Sequence, residues 1–260
     1  MAFNFASITN KTCLRAPRII LLGVEKIGKS TFAAGADRPI FIHMEGEQGI
    51  DELPVDKWWE PCQSIDHVME CLQSIYLGPD NHGTVVLDSS STLEPIIHTR
   101  VCQDHRAKDI NSDGLGYGRG FREASHYWRK ITEALDSLRN DRNMASIIVG
   151  HVKIKRFDDP SGPSYDQYQF DINEIAANLL YRWADVILFA NTKVFVKTED
   201  IGFNKEKHQA IDAYGGQRFL YTQKNPAYPA GGRGVYGRLP AELPLNFGSF
   251  LDAVSVASRK

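Results

Sequence analysis

Gly23-Val24-Glu25-Lys26-Ile27-Gly28-Lys29-Ser30-Thr31 follows directly on the apolar run Ile19-Ile20-Leu21-Leu22. The stretch spells G-x-x-x-x-G-K-S, a Walker A phosphate loop in its proper place after a strand and ahead of a helix. Gly23 and Gly28 let backbone N–H groups turn inward on phosphates, Lys29 reaches the β- and γ-phosphates, and the Ser30 hydroxyl faces Mg²⁺. Thr31 opens the helix whose positive dipole end completes the anion site. Without nucleotide, the Lys29 ammonium is expected to face solvent.

Working outward, the same chemistry asks for carboxylates at the ends of other buried strands. Thr84-Val85-Val86-Leu87-Asp88-Ser89 is an apolar run closed by an acid, the form of a Walker B segment, so Asp88 joins Ser30 as a metal-side residue. Ile40-Phe41-Ile42 is a further apolar run and ends in Met44-Glu45-Gly46-Glu47. Ser146 to Gly150 is another and ends in His151. In open α/β sheets these strand ends share the ligand edge. A histidine there serves equally well as a structural group.

Composition bounds the rest. The chain has 260 residues, 42 % of them hydrophobic, and this suffices for a full core in one α/β domain over 17–260 behind a lead-in at 1–16. A net charge of −2 argues against binding nucleic acid through overall charge, so any such contact needs a local patch. Cys13, Cys62, Cys71 and Cys102 lack C-x-x-C spacing and read as reduced thiols. With no charged leader and no membrane-length apolar run, a cytoplasmic, membrane-free protein is expected.

Helical spacing predicts helices over 64–77, 91–102, 121–140, 173–181 and 249–257, with a strand at 184–190. Residues 192–198 and 218–222 read as a hairpin joined by 199–217. Trp58-Trp59 reads as a packing anchor or a partner surface. Two stretches read as irregular loops. The first, 104–122, has glycines at 114, 116, 118 and 120 and carries Arg119, Arg122 and Tyr117; the second, 152–170, carries Lys153, Lys155, Arg156 and Phe157. Cations mixed with aromatic rings are what a single-strand surface needs, although a solvated loop has the same composition.

Taken in order, these pieces resemble the RecA-like P-loop ATPase core, and in particular the short phage-encoded RecA-like ATPases of single-strand annealing and recombination. The resemblance covers about residues 17–240 and implies a mainly parallel central sheet flanked by helices, here with C-terminal β-hairpin additions. It implies Glu45 as the residue that activates the hydrolytic water and His151 as the sensor of the γ-phosphate, where RecA itself carries glutamine. It also implies that the loops at 104–122 and 152–170 are the two DNA-binding loops. Apart from the resemblance, catalysis at such a site is mostly positioning and charge stabilisation, so a cation from a neighbouring subunit is expected to complete it, with Arg233, Arg238 and Lys224 as candidates. The expected cofactors are ATP and Mg²⁺. The expected partners are single-stranded DNA, further copies of the chain on that DNA, and a single-strand binding protein or host recombinase.

Three functions compete on the sequence. One is a DNA-dependent recombination or annealing ATPase, another a nucleotide-dependent switch or partner-loading protein without direct DNA action, and the last a P-loop kinase for a small acceptor.

Overall fold

The computed structural model describes residues 15–47, 49–79, 81–112, 114–159, 162–200, 206–212 and 215–259, with backbone alone over 194–200 and 206–212. The lead-in lies almost wholly outside them. Strand β1 (Arg18–Gly23) passes through the glycine loop into the short helix α1 (Lys29–Ala34), followed by β2 (Pro39–His43) and the edge strand β3 (Asp56–Lys57). Then come α2 (Ile65–Leu77), β4 (Thr84–Asp88), α3 (Ser90–His105), α4 (Arg119–Arg142) and β5 (Ala145–Gly150). A hairpin of β6 (Val152–Phe157) and β7 (Tyr165–Phe170) leads to α5 (Glu174–Trp183) and β8 (Val186–Thr192). The chain finishes with β9 (Val194–Asp200), β10 (Glu206–Asp212), β11 (Arg218–Tyr221), β12 (Gly231–Gly232), β13 (Glu242–Pro244) and α6 (Phe247–Ser258).

The central sheet runs β3-β2-β4-β5-β1-β8 in parallel, and β11 and β13 extend it antiparallel beyond β8. Its inner strands carry unbroken aliphatic runs, Ile19 to Leu22, Val85 to Leu87 and Ile147 to Val149, because both faces are covered. Side chains alternate between faces: Ile20, Leu22, Ile42, Val85, Leu87 and Ile148 pack with α2, α3, α4 and α5. Ile19, Leu21, Phe41, Val86, Ile147 and Val149 pack with α1 and α6. Helices α2, α3, α5 and α6 are started by side-chain caps, Ser64 on His67 N–H, Ser89 on Thr92 N–H, Asn173 on Ile175 N–H and Asn246 on Ser249 N–H, whereas glycines precede α1 and α4. No helix among the described residues is long and apolar enough to cross a membrane.

Three expectations need correction. The second basic stretch is a hairpin, since Lys153 to Arg156 pair residue by residue with Asp166 to Gln169. In the first, Arg119 and Arg122 belong to the opening turn of α4, as does Gly120, where a Cβ would meet Ile110 O at 2.1 Å, and Leu115 just before the helix is fully buried. The C-terminal hairpin is β9 with β10, while 218–221 joins the central sheet against β8. Alternation alone identifies strands but not their partners. Of the tryptophan pair, Trp58 packs on the core and Trp59 stands in solvent.

At the N-terminal edge of the sheet, Asp185 collects the cations that close the core. It accepts from Arg18 N at 3.1 Å and Arg18 Nη2 at 3.0 Å, and pairs with Arg139 Nη2 at 3.1 Å. Arg233 adds its Nε at 3.1 Å and its Nη2 to the carbonyls of Trp183 and Ala184 at 2.8 and 2.7 Å. Arg233 is therefore a structural tie at the edge opposite the phosphate loop. Burial pushes the Asp185 carboxyl up, but the Arg18 hydrogen bonds and the Arg18 and Arg139 charges outweigh it and hold it below its ordinary value.

Asp185→Ala should cost about 3–5 kcal/mol, because it strands guanidinium groups in a half-buried cluster. A carboxyl with a depressed folded pKa stabilises fully above its unfolded pKa of about 4 and loses that stabilisation as pH falls through the folded value. Thermal melts of parent and variant should therefore differ most near neutral pH and converge below about pH 4.

Candidate active site at the phosphate loop

At the C-terminal edge of the sheet, β1, β5, β4 and β2 deliver four groups side by side. They surround a cavity of about 130 Å³ lined by Gly28, Lys29, Ser30, Thr31, Glu47, Gly49, Asp88 and His151. Gly23 is required by packing, since a Cβ there would meet Ala190 O of β8 at 2.5 Å. Gly28 is required by its backbone, at φ 104°.

Lys29 departs from the expectation of a solvent-facing ammonium. It is only 6 % exposed, and Nζ donates to Gly23 O at 3.0 Å and Val24 O at 2.9 Å. Burial lowers its pKa, against the attraction of Asp88, Glu47 and Glu25. The Ser30 hydroxyl donates to Asp88 Oδ2 at 2.7 Å. Burial pushes the Asp88 carboxyl up to about 6, the nearby Glu47 charge adds to the rise, and the Ser30 bond and Lys29 oppose it.

Glu45 does not join this cluster; Glu47 does. The chain leaves β2 through a turn with Gly46 at φ 94° and Glu47 N bonded to Met44 O, which leaves Glu45 exposed and carries Glu47 back over α3. Glu47 Oε1 accepts from Ser89 Oγ at 2.5 Å and from Thr92 Oγ1, with His151 Nε2 at 3.6 Å, a charge contact beyond hydrogen-bond length. His151 and these hydroxyls hold the carboxyl down at about 2 in spite of its burial. All these groups converge on Oε1.

His151 follows β5 directly and stands between the two charges. Its Nδ1 is 3.4 Å from Lys29 Nζ, and its backbone N–H donates to Ser91 Oγ at 3.0 Å. Ser90 Oγ donates to Val149 O at 2.8 Å. Four consecutive hydroxyls, Ser89 to Thr92, thus fix Glu47, β5 and His151 from one helical turn. The run Asp-Ser-Ser-Ser-Thr was visible in the sequence, and hydroxyls at a helix start are its signal.

Ser30 and Asp88, 2.7 Å apart, offer hard oxygens of the kind Mg²⁺ takes alongside phosphate and water. The site therefore fits a magnesium–nucleotide phosphate group, with Lys29 as its fixed cation.

The other predicted residues divide. Lys153, Lys155 and Lys224 come together on a groove of about 730 Å³, with Tyr168, Phe170, Tyr181 and Tyr228 among its walls. Lys153 also pairs with Asp171 at 3.1 Å. Tyr117 is fully exposed, and neither it nor Arg119, Arg122, Arg156 and Phe157 line that groove. Phe157 leans on Tyr165 at 5.4 Å. Arg238 is exposed on the turn Gly234–Arg238.

Glu47→Gln should lower ATP turnover about 10²-fold or more while nucleotide binding persists, and Glu45→Gln should leave turnover within about twofold. Steady-state hydrolysis beside nucleotide titration checks both. Equal losses in the two variants would contradict the placement of Glu47.

A search of the curated proteins finds no match to the chain. A family model does match, that of an AAA domain, over residues 15–234. That span holds the phosphate loop, Asp88, Glu47, His151 and the whole parallel sheet, and the chain accordingly belongs to this AAA-domain family of P-loop ATPases.

Proposed function

We propose that this nucleotide-binding ATPase acts on single-stranded DNA, in recombination or strand annealing of the phage type, as a homo-oligomer assembled on the strand. The observation that carries the reading is the groove between the β6–β7 hairpin, the start of α5 and the segment 224–230. It combines Lys153, Lys155 and Lys224 with four aromatic rings and the carboxamides of Gln167, Gln169, Asn173, Asn178 and Asn225. Lysines suit phosphates, rings suit stacked bases, and carboxamides suit base edges.

Two connections support coupling of that groove to the phosphate site. The wall strand β7 ends on His151, since Asp171 N donates to His151 O at 3.0 Å and a Cβ on Gly150 would meet the Phe170 ring at 2.4 Å. In addition, Glu94, two residues after Thr92 on α3, accepts the Asn173 N–H at 2.8 and 2.7 Å. Burial pushes its carboxyl up to about 7 against that bond.

In this reading Lys29 and the loop N–H groups hold the triphosphate, and Ser30 and Asp88 hold Mg²⁺. When bound, the metal ion neutralises charge on the transferring phosphoryl group. Glu47 orients the attacking water, and His151 holds the Glu47 carboxylate while its peptide carries the signal to β7. Of the cations expected to act across a subunit boundary, Arg233 is occupied and Lys224 lies in the groove, so Arg238 is the one left free for that role.

One observation favours a second reading, a nucleotide-dependent switch. A carboxyl held near 2 is a weak base, so ATP binding would drive the change of state and hydrolysis would only reset it.

Replacing Lys153, Lys155 and Lys224 together should flatten the log–log salt dependence of single-strand binding by about 2 units, at roughly 0.7 per phosphate neutralised. DNA should also stimulate the parent's ATPase activity and not the variant's. A parent that ignores single-stranded DNA in both assays would leave the switch reading; a variant with the parent's slope would move the DNA site off this groove.

A further inference from the structure

The phosphate loop is braced from outside by a residue that the Walker pattern does not contain. β11 lies antiparallel to β8, with Arg218 opposite Thr192 at the end of β8 nearest the loop. The strand is fixed on its other side too, where Leu245 N donates to Arg218 O at 3.1 Å. From there Arg218 Nη1 donates to Ile27 O at 3.2 Å. A Cβ added to Gly28 would lie 2.6 Å from the same Nη1 and 3.8 Å from Leu245 Cδ2.

These contacts meet one peptide unit. The Ile27 carbonyl and the Gly28 N–H belong to the same planar trans peptide and point in opposite directions. With the carbonyl held outward by a guanidinium on the β11 side, the N–H is turned to the other side, where Gly28 lines the phosphate cavity. A charged donor on the carbonyl also polarises the peptide and strengthens its N–H as a phosphate donor. We infer that Arg218 is a positioning residue of the nucleotide site, setting the Ile27–Gly28 peptide so that the loop is shaped for phosphate before nucleotide arrives.

This gives the antiparallel strands β11 and β13 a purpose at the loop. It also gives Gly28 a second reason to be glycine besides its φ of 104°, since any side chain would displace Arg218. The inference depends on the nucleotide-binding activity alone and stands whether or not the protein acts on DNA.

The test compares parent, Arg218→Ala and Arg218→Lys, titrated with ADP and with a non-hydrolysable ATP analogue, alongside steady-state ATP hydrolysis. Losing one charge-assisted hydrogen bond should weaken both nucleotides about tenfold. KM for ATP should rise to match, kcat should fall less than about threefold, and Arg218→Lys should recover part of the affinity. The exposed guanidinium contributes little to the fold, so the melting temperature without nucleotide should move by no more than about 2 °C. Nucleotide affinities within twofold of the parent in Arg218→Ala would overturn the inference. So would a loss confined to kcat at unchanged KM, or a variant whose nucleotide-free melting temperature falls as far as its affinity loss requires.

Discussion

A positive charge held almost out of water organises this molecule. Lys29 lies at the mouth of the sheet with its ammonium against the carbonyls of its own loop, and a cation so placed needs negative charge close by. Asp88 and Glu47 supply it from β4 and from the turn after β2. The two acids are then too close to behave alike. Asp88, buried and near another carboxylate, is pushed toward its neutral form, whereas Glu47, surrounded by hydroxyls and His151, stays ionised. Phosphates bound at the loop would replace the two carbonyls as partners of Lys29.

What converts this charge cluster into a device is the first turn of α3. Ser89 and Thr92 hold Glu47, Ser91 holds the His151 backbone and Ser90 holds β5, so a shift of that turn would move the acid and the histidine together. Two residues after Thr92, Glu94 reaches the cap of α5 and with it the basic groove. The far edge of the sheet has a different task. Asp185 with Arg18, Arg139 and Arg233 closes the core there, leaving the phosphate edge to carry strained and charged groups.

Much of this was legible in the sequence. The phosphate loop, the parallel aliphatic strands and the Asp88 segment are local patterns with a fixed physical cause, and each appears where its pattern puts it. Glu45 and Glu47 both follow the end of β2 in sequence, and only the left-handed turn at Gly46, which sends the first outward and brings the second in, tells them apart. Arg233 is hidden for a related reason, since a cation in a polar, glycine-rich tail has a partner, Asp185, that lies 48 residues away. Strand partners at the C-terminus are not readable from alternation, and the place of Arg218 follows from them. Its contact with Ile27 spans 191 residues and depends wholly on β11 lying beside β8.

The most direct measurement is nucleotide titration of Lys29→Ala beside its thermal melt. If the buried ammonium is the centre of the phosphate site, the variant should lose ADP and ATP binding by at least about 10²-fold. It should also melt below the parent, because two carbonyls and two carboxylates lose their cation. A Lys29→Ala protein that binds both nucleotides with the parent's affinity and hydrolyses ATP at the parent's rate would contradict the account.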